Sequence, residues 1–244
     1  MSIRQLRIER MGRVAYLPML ALQEARHQEV YAGFGPETLF LLEHYPVITL
    51  GKNAKRENVL YSEVELKQKE VELIATGRGG DVTYHGPGQI VGYFILTLGQ
   101  GEQDIKGYVN RIEEILLRTL ADFNIKAART EGKRGVWVQN KKIGAIGVRV
   151  SRWVTMHGFA LNITTDLKAF DLIVPCGLHD CGVTSFAQLG CMASIHKVED
   201  RLIVNSGAVL GRNPYEASAS ALPQFYSSNQ KIIVNNFING TYHE

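Results

Sequence analysis

The 244-residue sequence predicts an α+β fold, in which a mixed β-sheet is flanked by α-helices. Segments rich in β-forming residues dominate the middle of the chain, and segments with helical spacing surround them. Strands and helices do not alternate regularly, which disfavours a doubly wound parallel sheet. With 45% hydrophobic residues, a chain of this length can form one large domain or two small ones.

The first elements follow from local patterns. Residues 17–32 place apolar side chains at helical spacing, and the glycines and proline of residues 33–36 end that helix. Residues 38–51 are rich in Leu, Val, Ile and Thr and are interrupted at Tyr45 and Pro46. This composition predicts two strands separated by a turn.

The central helices carry clear signals. Ser62 followed by Glu65 forms a capping-box pattern at the start of a short helix over residues 62–70, and residues 71–76 predict a strand. Residues 104–125 show the clearest helical pattern in the sequence. Its apolar stripe consists of Ile105, Val109, Ile112, Leu116, Leu120 and Phe123.

The second half of the chain predicts a hairpin over residues 135–150, turning near Gln139, and a further strand over residues 153–164. Loops and short helices are expected after Pro175. Residues 212–244 are polar and rich in Ser and Asn. We therefore expect a main domain over residues 1–211 and a C-terminal tail over residues 212–244.

Composition excludes several classes of protein. The net charge is only +3 and no Lys/Arg-rich block is present, so no nucleic-acid partner is expected. Three cysteines, Cys176, Cys181 and Cys191, are too few and too clustered for a disulfide framework. The first residues lack the apolar stretch of a secretory signal, and no apolar run approaches the ~20 residues of a membrane helix. The sequence therefore predicts a cytoplasmic protein without a membrane partner.

Three segments could carry chemistry, and the first is RGGDVTYHGPGQ, residues 78–89. Gly79 and Gly80 allow positive φ and close approach of the backbone to a ligand. The planar guanidinium of Arg78 and the exposed amides would suit an acyl or carboxyl group. The alternative is a tight turn with a capping arginine.

The second segment is KKIGAIGVRV, residues 141–150. On a strand, Lys142 would share an otherwise apolar face with Gly144, which would leave a gap beside it. Desolvation there would make the lysine a usable acid or base. The alternative is a turn lysine that faces water.

The third segment is PCGLHDC, residues 175–181. A cysteine between Pro and Gly lies in a turn with little cover, so Cys176 is a candidate nucleophile for covalent catalysis. The rival hypothesis is a metal site, because Cys176, His179 and Cys181 form C-x2-H-x-C. A zinc site would need a fourth ligand, and the usual second spaced pair is missing. No metal is therefore expected.

Taken together, the motifs RGGDVTYHGPGQIVGY, KKIGAIGVRV, HGFALN, PCGL and GVTSF resemble those of the octanoyltransferases of the lipoate pathway. These enzymes are the octanoyl–acyl carrier protein:protein N-octanoyltransferases. The resemblance runs from about residue 13 to about residue 211. It implies a catalytic domain of the biotin/lipoate ligase type, without a cofactor. The tail has no counterpart in the family.

The resemblance also implies roles for residues. Cys176 corresponds to the acyl-thioester nucleophile and Lys142 to the lysine that activates it and moves protons. The segments that hold the acyl group correspond to Arg78, Gly79, Gly80, Asp81, Val82, Thr83, Tyr84 and His85, to Ala145, Ile146 and Gly147, and to Gly158, Phe159 and Ala160.

The partners implied by the resemblance are octanoyl–acyl carrier protein as donor and two kinds of acceptor. The acceptors are lipoyl domains of 2-oxoacid dehydrogenase E2 subunits and the glycine cleavage H protein, and the enzyme itself is expected to be a monomer. Two alternatives remain at this point. One is an ATP-dependent lipoate or biotin protein ligase on the same fold, and the other is a zinc-stabilised noncatalytic binding module.

Overall fold

The computed structural model describes residues 3–174 and 182–216. In these ranges, nine strands form one mixed sheet and three strands form a second, smaller sheet. Helices cover both faces of the larger sheet. The predicted class, a mixed sheet flanked by helices, is confirmed.

The large sheet has the strand order β12-β1-β2-β6-β10-β9-β8-β7, and β11 pairs with β9 beside this path. β1 is parallel to β2 and β12, and β11 is parallel to β9, whereas the remaining neighbours are antiparallel. The strands are β1 Arg4–Val14, β2 Thr38–His44, β6 Gln89–Ile95, β7 Ala128–Thr130, β8 Lys133–Val138, β9 Lys141–Ser151, β10 Val154–Asn162, β11 Gly182–Val183 and β12 Arg212–Glu216.

The small sheet has the order β4-β3-β5, with β3 Val47–Leu50, β4 Glu72–Ala75 and β5 Val82–His85. Helix α2, Glu63–Gln68, begins at the predicted capping box: Ser62 accepts from the Glu65 N–H and the Glu65 carboxylate accepts from the Ser62 N–H. The core of this unit includes Ile48, Leu66 and Phe170.

Two helices cover one face of the large sheet and one helix covers the other. α3, Ile105–Asp122, and α4, Ile195–Leu210, pack over the face that carries Ile90 and Phe94. α1, Tyr16–Tyr31, packs over the face that carries Val91 and Ile95. Because β6 is covered on both sides, all of its residues are buried.

The hairpin and the long helix were predicted in the right places. β8 and β9 turn at Gln139, which has a φ of +55°. The middle of the α3 stripe is fully buried, but Ile105 at its start is 49% exposed. Gly144 leaves no gap beside Lys142: a Cβ there would lie 2.7 Å from Val136 Cγ2, so the expected gap is filled by core.

The region after residue 175 differs from the expectation of loops and short helices. α4 has 16 residues and is capped by Ser194, whose side chain accepts from the Lys197 N–H. The first five residues of the predicted tail form β12, which pairs with β1 along its length. Residues 217–244 lie outside the described residues.

The arginines near the N-terminus lie in β1 and make ion pairs across the fold. Arg10 contacts Glu199 at 2.8 Å and Asp200 at 2.6 Å, which ties β1 to α4. Arg26 of α1 contacts the buried Glu9 at 3.1 Å. No helix in the described ranges is long and apolar enough to cross a membrane.

Candidate active site

A cavity of about 580 Å³ lies where the small sheet meets β9 and β10 of the large sheet. This volume is within the range of small-molecule sites, roughly 300–1,000 Å³. Its wall includes all the described residues of the predicted site except one. The predicted residues that line the cavity are Lys142, Arg78, Gly79, Gly80, Asp81, Val82, Thr83, His85, Ala145, Ile146, Gly147, Gly158, Phe159 and Ala160.

Tyr84 is the exception, because its side chain points into the core of the small sheet. It is 5% exposed and its ring packs edge-on against Phe170 at 5.6 Å. Along β5, Thr83 and His85 face the side opposite to Tyr84, and Val82 packs in the same core as Tyr84 while also contacting the cavity. Tyr84 therefore supports the wall rather than forming it.

The glycine-rich loop lies against the edge of β9. The Gly79 N–H donates to the Val148 carbonyl at 2.9 Å. A Cβ on Gly147 would lie 2.9 Å from the Gly79 oxygen and 3.2 Å from Arg78 Cδ, so glycine is needed there for close packing. Gly80 has a φ of +90°, which favours glycine. These glycines thus hold the loop on the sheet.

Arg78 is buried beneath the loop, and its guanidinium donates hydrogen bonds to atoms of the protein. Nε donates to Thr49 Oγ1 at 3.0 Å, and Nη2 donates to the Thr49 carbonyl at 2.6 Å. Asp81 is similarly engaged, since its carboxylate accepts from Asn58 Nδ2 at 2.6 Å and from the Val82 N–H at 2.8 Å. Both side chains fix the shape of the cavity wall.

A cluster of neutral aromatic and imidazole groups lies at the wall: Tyr16, His85, Tyr93 and His157 line the cavity, and His44 contacts them. His44 Nε2 lies 2.7 Å from the Tyr93 hydroxyl, and the His44 and His85 rings are 5.8 Å apart. Tyr16 stacks on His85 with the ring centroids 6.4 Å apart, and the fifth member, His157, meets Tyr93 edge-on at 6.1 Å.

Burial keeps these histidines neutral. It lowers the pKa of His85 to about 3, with a further contribution from the neighbouring His44. Burial also lowers the pKa of His157 to about 3, assisted by the charges of Arg78 and Arg149, and the pKa of His44 to about 4. At neutral pH the cluster therefore adds polar but uncharged surface to the cavity.

His157 is the most constrained member of this cluster. It is 1% exposed, and neither ring nitrogen has a hydrogen-bond partner among the described residues. Its φ of +59° lies in the left-handed region inside β10, a conformation that costs of order 1–3 kcal/mol for a residue other than glycine.

Lys142 lies at one end of the cavity wall and is half-buried. Its ammonium nitrogen is 4.9 Å from the ring centroid of Trp137 on the adjacent strand β8. The Lys142 carbonyl accepts from the Thr184 N–H at 2.9 Å, and Val183 pairs with Lys142 across β11 and β9. Lys133 and Arg134 also line this part of the wall, so it is cationic.

A buried chain of hydrogen bonds crosses the site. His85 Nδ1 lies 2.7 Å from Gln89 Oε1, and Gln89 Nε2 donates to Asn162 Oδ1 at 3.0 Å. Asn162 Nδ2 then donates to the Thr184 carbonyl at 3.0 Å. The glycine-rich segment is thus connected to the residues that follow β11.

Cys176 lies outside the described residues, as do His179 and Cys181. The chain on both sides of this segment is described. Before it, Val174 donates its N–H to the Asn58 carbonyl at 2.8 Å. After it, Gly182 pairs with Lys141, and Val183 lines the cavity.

Sequence reasoning missed several wall residues. Tyr16 and Tyr93 carry no local motif, and His157 precedes the glycine of the segment from Gly158 to Ala160. Gln89 belongs to the first motif, whose pattern assigns no role to its side chain. The described ranges contain no group of three or more His, Cys, Asp or Glu side chains placed to hold a metal ion.

Comparisons with known proteins agree with this architecture. The family model described as the lipoyl protein ligase A/B catalytic domain matches residues 15–205. An octanoyltransferase of Solibacter usitatus is 47% identical over 194 residues, covering 80% of this chain and 88% of the relative. An octanoyltransferase of Caldicellulosiruptor bescii is 47% identical over 209 residues, covering 83% of this chain and 90% of the relative.

Solved structures share the fold at low identity. A lipoate-protein ligase A bound with ATP has a TM-score of 0.71 at 16% identity, covering 88% of this chain and 89% of the other. A bipartite lipoate protein ligase from Thermoplasma acidophilum has a TM-score of 0.70 at 15% identity, covering 89% of each chain. On the strength of the family match and these relatives, the chain belongs to the lipoyl protein ligase A/B catalytic domain family.

Proposed function

We propose that the protein is an acyltransferase that moves an octanoyl group from acyl carrier protein to a lysine ε-amine of lipoyl-domain proteins, through an acyl-thioester on Cys176. The octanoyltransferase relatives support the acyl group and the reaction type. The acceptors would be lipoyl domains of E2 subunits and the glycine cleavage H protein.

One observation supports the pairing of Cys176 with Lys142 most directly. Val183 both lines the cavity and pairs with Lys142, and it follows Cys176 by seven positions in the sequence. On the other side of the segment, the 3₁₀ helix Leu167–Leu172 contributes Phe170 to the cavity wall. The chain therefore leaves one part of the wall before Cys176 and returns to another part beside Lys142.

In the first step, the Cys176 thiolate attacks the carbonyl carbon of the carrier thioester. The bond from that carbon to Cys176 Sγ forms and the bond to the carrier sulfur breaks. The Lys142 ammonium gives a proton to the leaving carrier thiolate. One thioester replaces another, so this step requires no ATP.

In the second step, the neutral ε-amine of the acceptor lysine attacks the acyl-cysteine. The amide C–N bond forms, Cys176 leaves as a thiolate, and the amine proton passes to neutral Lys142. The ammonium and thiolate are thereby restored. A thioester is converted to a more stable amide, which drives the transfer.

The wall suits an acyl chain on one side and a polar thioester on the other. Apolar groups of Ile146 and Phe159 line it, and each buried CH2 contributes about 0.8 kcal/mol. The Gly79 and Val82 N–H groups are already bonded within the protein. They are therefore unavailable to stabilise the oxyanion, and the amides near Gly177 and the other amides of the glycine-rich loop remain our candidates.

Intact mass measurement after mixing the protein with octanoyl–acyl carrier protein tests this function. We expect a gain of one octanoyl group without ATP or Mg²⁺, reversal by hydroxylamine, and no gain in Cys176→Ala. Cys191→Ser is the matched control and should be labelled like wild type, because Cys191 packs beside the core. Labelling that persists in Cys176→Ala, or that requires ATP, would contradict the proposal and would favour an adenylating ligase.

A further inference from the structure

Asn162 occupies a junction between three parts of the site. It ends β10 and is 4% exposed. Its side-chain oxygen accepts from Gln89, and its side-chain nitrogen donates to the Thr184 carbonyl. Its own carbonyl accepts from the Phe186 N–H at 3.1 Å.

The directions of these hydrogen bonds are fixed by the network. Gln89 Nε2 donates to Asn162 and to the Tyr84 carbonyl, so Gln89 Oε1 is the acceptor that faces His85 Nδ1. Neutral His85 therefore carries its proton on Nδ1. The donor and acceptor atoms of each side chain are thus assigned by its neighbour. A network of this kind favours one set of side-chain orientations.

The far end of the network reaches Lys142. Thr184 is held on one side by Asn162, through its carbonyl, and on the other side by Lys142, through its N–H. Residues 182–186 are thus attached to β9 and β10 where the chain returns from Cys176. A displacement of residues 182–186 would shift the point at which the chain returns from Cys176, relative to Lys142.

We infer that Asn162 is a positioning residue, which sets the register between Lys142 and the chain that returns from Cys176. The inference rests on the proposed function, because it gives Asn162 a role in assembling the Cys176–Lys142 pair. It extends that function to a residue of the cavity wall whose side-chain hydrogen bonds are made to Gln89 and Thr184. Gln89 supports Asn162 from the side of the glycine-rich segment.

The test uses full-length protein with Asn162→Leu and Gln89→Leu. Asn162→Leu removes both side-chain hydrogen bonds and keeps the number and branching of the side-chain heavy atoms. Asn205→Leu is the matched control: Asn205 is 7% exposed and donates to Thr119 and Asp122 in the α3–α4 interface, away from the cavity. If a Leu variant does not fold, Asn162→Ser and Thr119→Val interrupt the same two networks more mildly.

Two rates are measured for each variant. The first is octanoyl transfer to a lipoyl domain, and the second is alkylation of Cys176 by iodoacetamide as a function of pH, read from the mass of the Cys176 peptide. For Asn162→Leu we expect transfer to fall by about 10²-fold, as for a misplaced catalytic group, and alkylation to require higher pH. Gln89→Leu should show a smaller effect of the same kind, and Asn205→Leu should leave both rates near wild type.

Three results would overturn the inference. They are wild-type transfer by Asn162→Leu, an unchanged pH dependence of alkylation, and equal losses in Asn162→Leu and Asn205→Leu, which would indicate a purely structural role. Failure of the proposed function is a separate result, namely the absence of an octanoyl adduct on Cys176 in the wild-type protein.

Discussion

The Lys142 ammonium lies over the ring of Trp137, a side chain that is only 2% exposed. A cation above an indole face is stabilised by about 0.5–2 kcal/mol, and Arg can make the same contact. Substitution of Lys142 by Arg therefore separates its two roles, which are to supply a positive charge and to transfer a proton. Arg can replace its positive charge, but Arg cannot release a proton near neutral pH.

We predict that Lys142→Arg loses nearly as much octanoyl transfer as Lys142→Ala, about 10²- to 10⁴-fold, the contribution of one acid/base group. Alkylation of Cys176 at neutral pH should fall less in Lys142→Arg than in Lys142→Ala. Transfer and alkylation rates measured in both variants check this. The exposed neighbour Lys141 provides the control, since Lys141→Arg should behave as wild type. Near-wild-type transfer by Lys142→Arg would rule out the proton-transfer role.

A second prediction concerns the contact between the glycine-rich loop and β9. A methyl group on Gly147 would collide with the Gly79 carbonyl, so Gly147→Ala should displace the loop and lower kcat/KM by roughly 10- to 100-fold. Gly99→Ala is the control, because its Cβ would meet only side-chain atoms of Arg4 and Glu102 at 3.4–3.5 Å. Steady-state kinetics with octanoyl–acyl carrier protein give the comparison. Equal kcat/KM for the two variants would show that the loop contact is not needed.

The buried histidines predict an acid-sensitive fold. Their folded pKa values, about 3 for His85 and His157 and about 4 for His44, lie below the unfolded value of about 6.5. The unfolded chain therefore binds more protons between these limits. Stability is present in full above pH 6.5 and decreases as the pH falls towards 3–4, by up to about 1.4 kcal/mol per pH unit for each histidine.

We expect His157→Asn to weaken this pH dependence, because Asn tolerates a positive φ and does not titrate. Urea unfolding at several values between pH 7.5 and pH 5 measures it. His196→Gln serves as the comparison, since the His196 side chain is 85% exposed and its loss should leave the dependence as in wild type. A slope that is identical in His157→Asn and wild type would contradict the assignment.

The last prediction concerns the end of the folded domain. Arg212 of β12 is buried and contacts Glu37 and Glu102. Burial by itself would raise the pKa of Glu102, but hydrogen bonds from Arg212 and Gly99 and the charge of Arg4 hold it at about 2. A chain that ends at residue 211 would leave these carboxylates without Arg212.

Such a chain should lose about 1.5–3 kcal/mol of stability relative to one that ends at residue 216, the usual contribution of hydrogen bonds to charged groups. The loss is limited because Arg4 remains paired with both carboxylates. Denaturant unfolding of the two truncated chains measures the difference. Arg212→Ala in the longer chain should reproduce most of the loss. Equal stability of the two truncated chains would show that β12 contributes little to the domain.

Sequence patterns predicted those features whose interactions are local along the chain. The capping box of Ser62 and Glu65 spans three residues, and the hairpin at Gln139 requires only its own turn. The α3 stripe follows from periodicity. Many residues of the cavity wall could also be predicted from the sequence, because the glycine-rich and lysine motifs are continuous segments.

The features that were missed depend on packing between distant segments. α4 contains Asn205, Ser206 and Gly207, which are weak helix formers, and was not predicted as one long helix. In the fold, Asn205 bonds to α3, and a Cβ on Gly207 would lie 2.7 Å from Pro214. Tertiary contacts thus select residues that local propensity disfavours.

The sequence by itself determined the family resemblance, the mixed α+β class and the identity of the candidate nucleophile. Only the tertiary structure brought Tyr16, Tyr93 and His157 to one wall, and only it attached Thr184 to Lys142 and Asn162. The physical reason is that burial and hydrogen-bond geometry between residues far apart in the chain arise from the packing of whole elements. Such contacts between distant residues cannot be predicted from the residue spacing within a single segment.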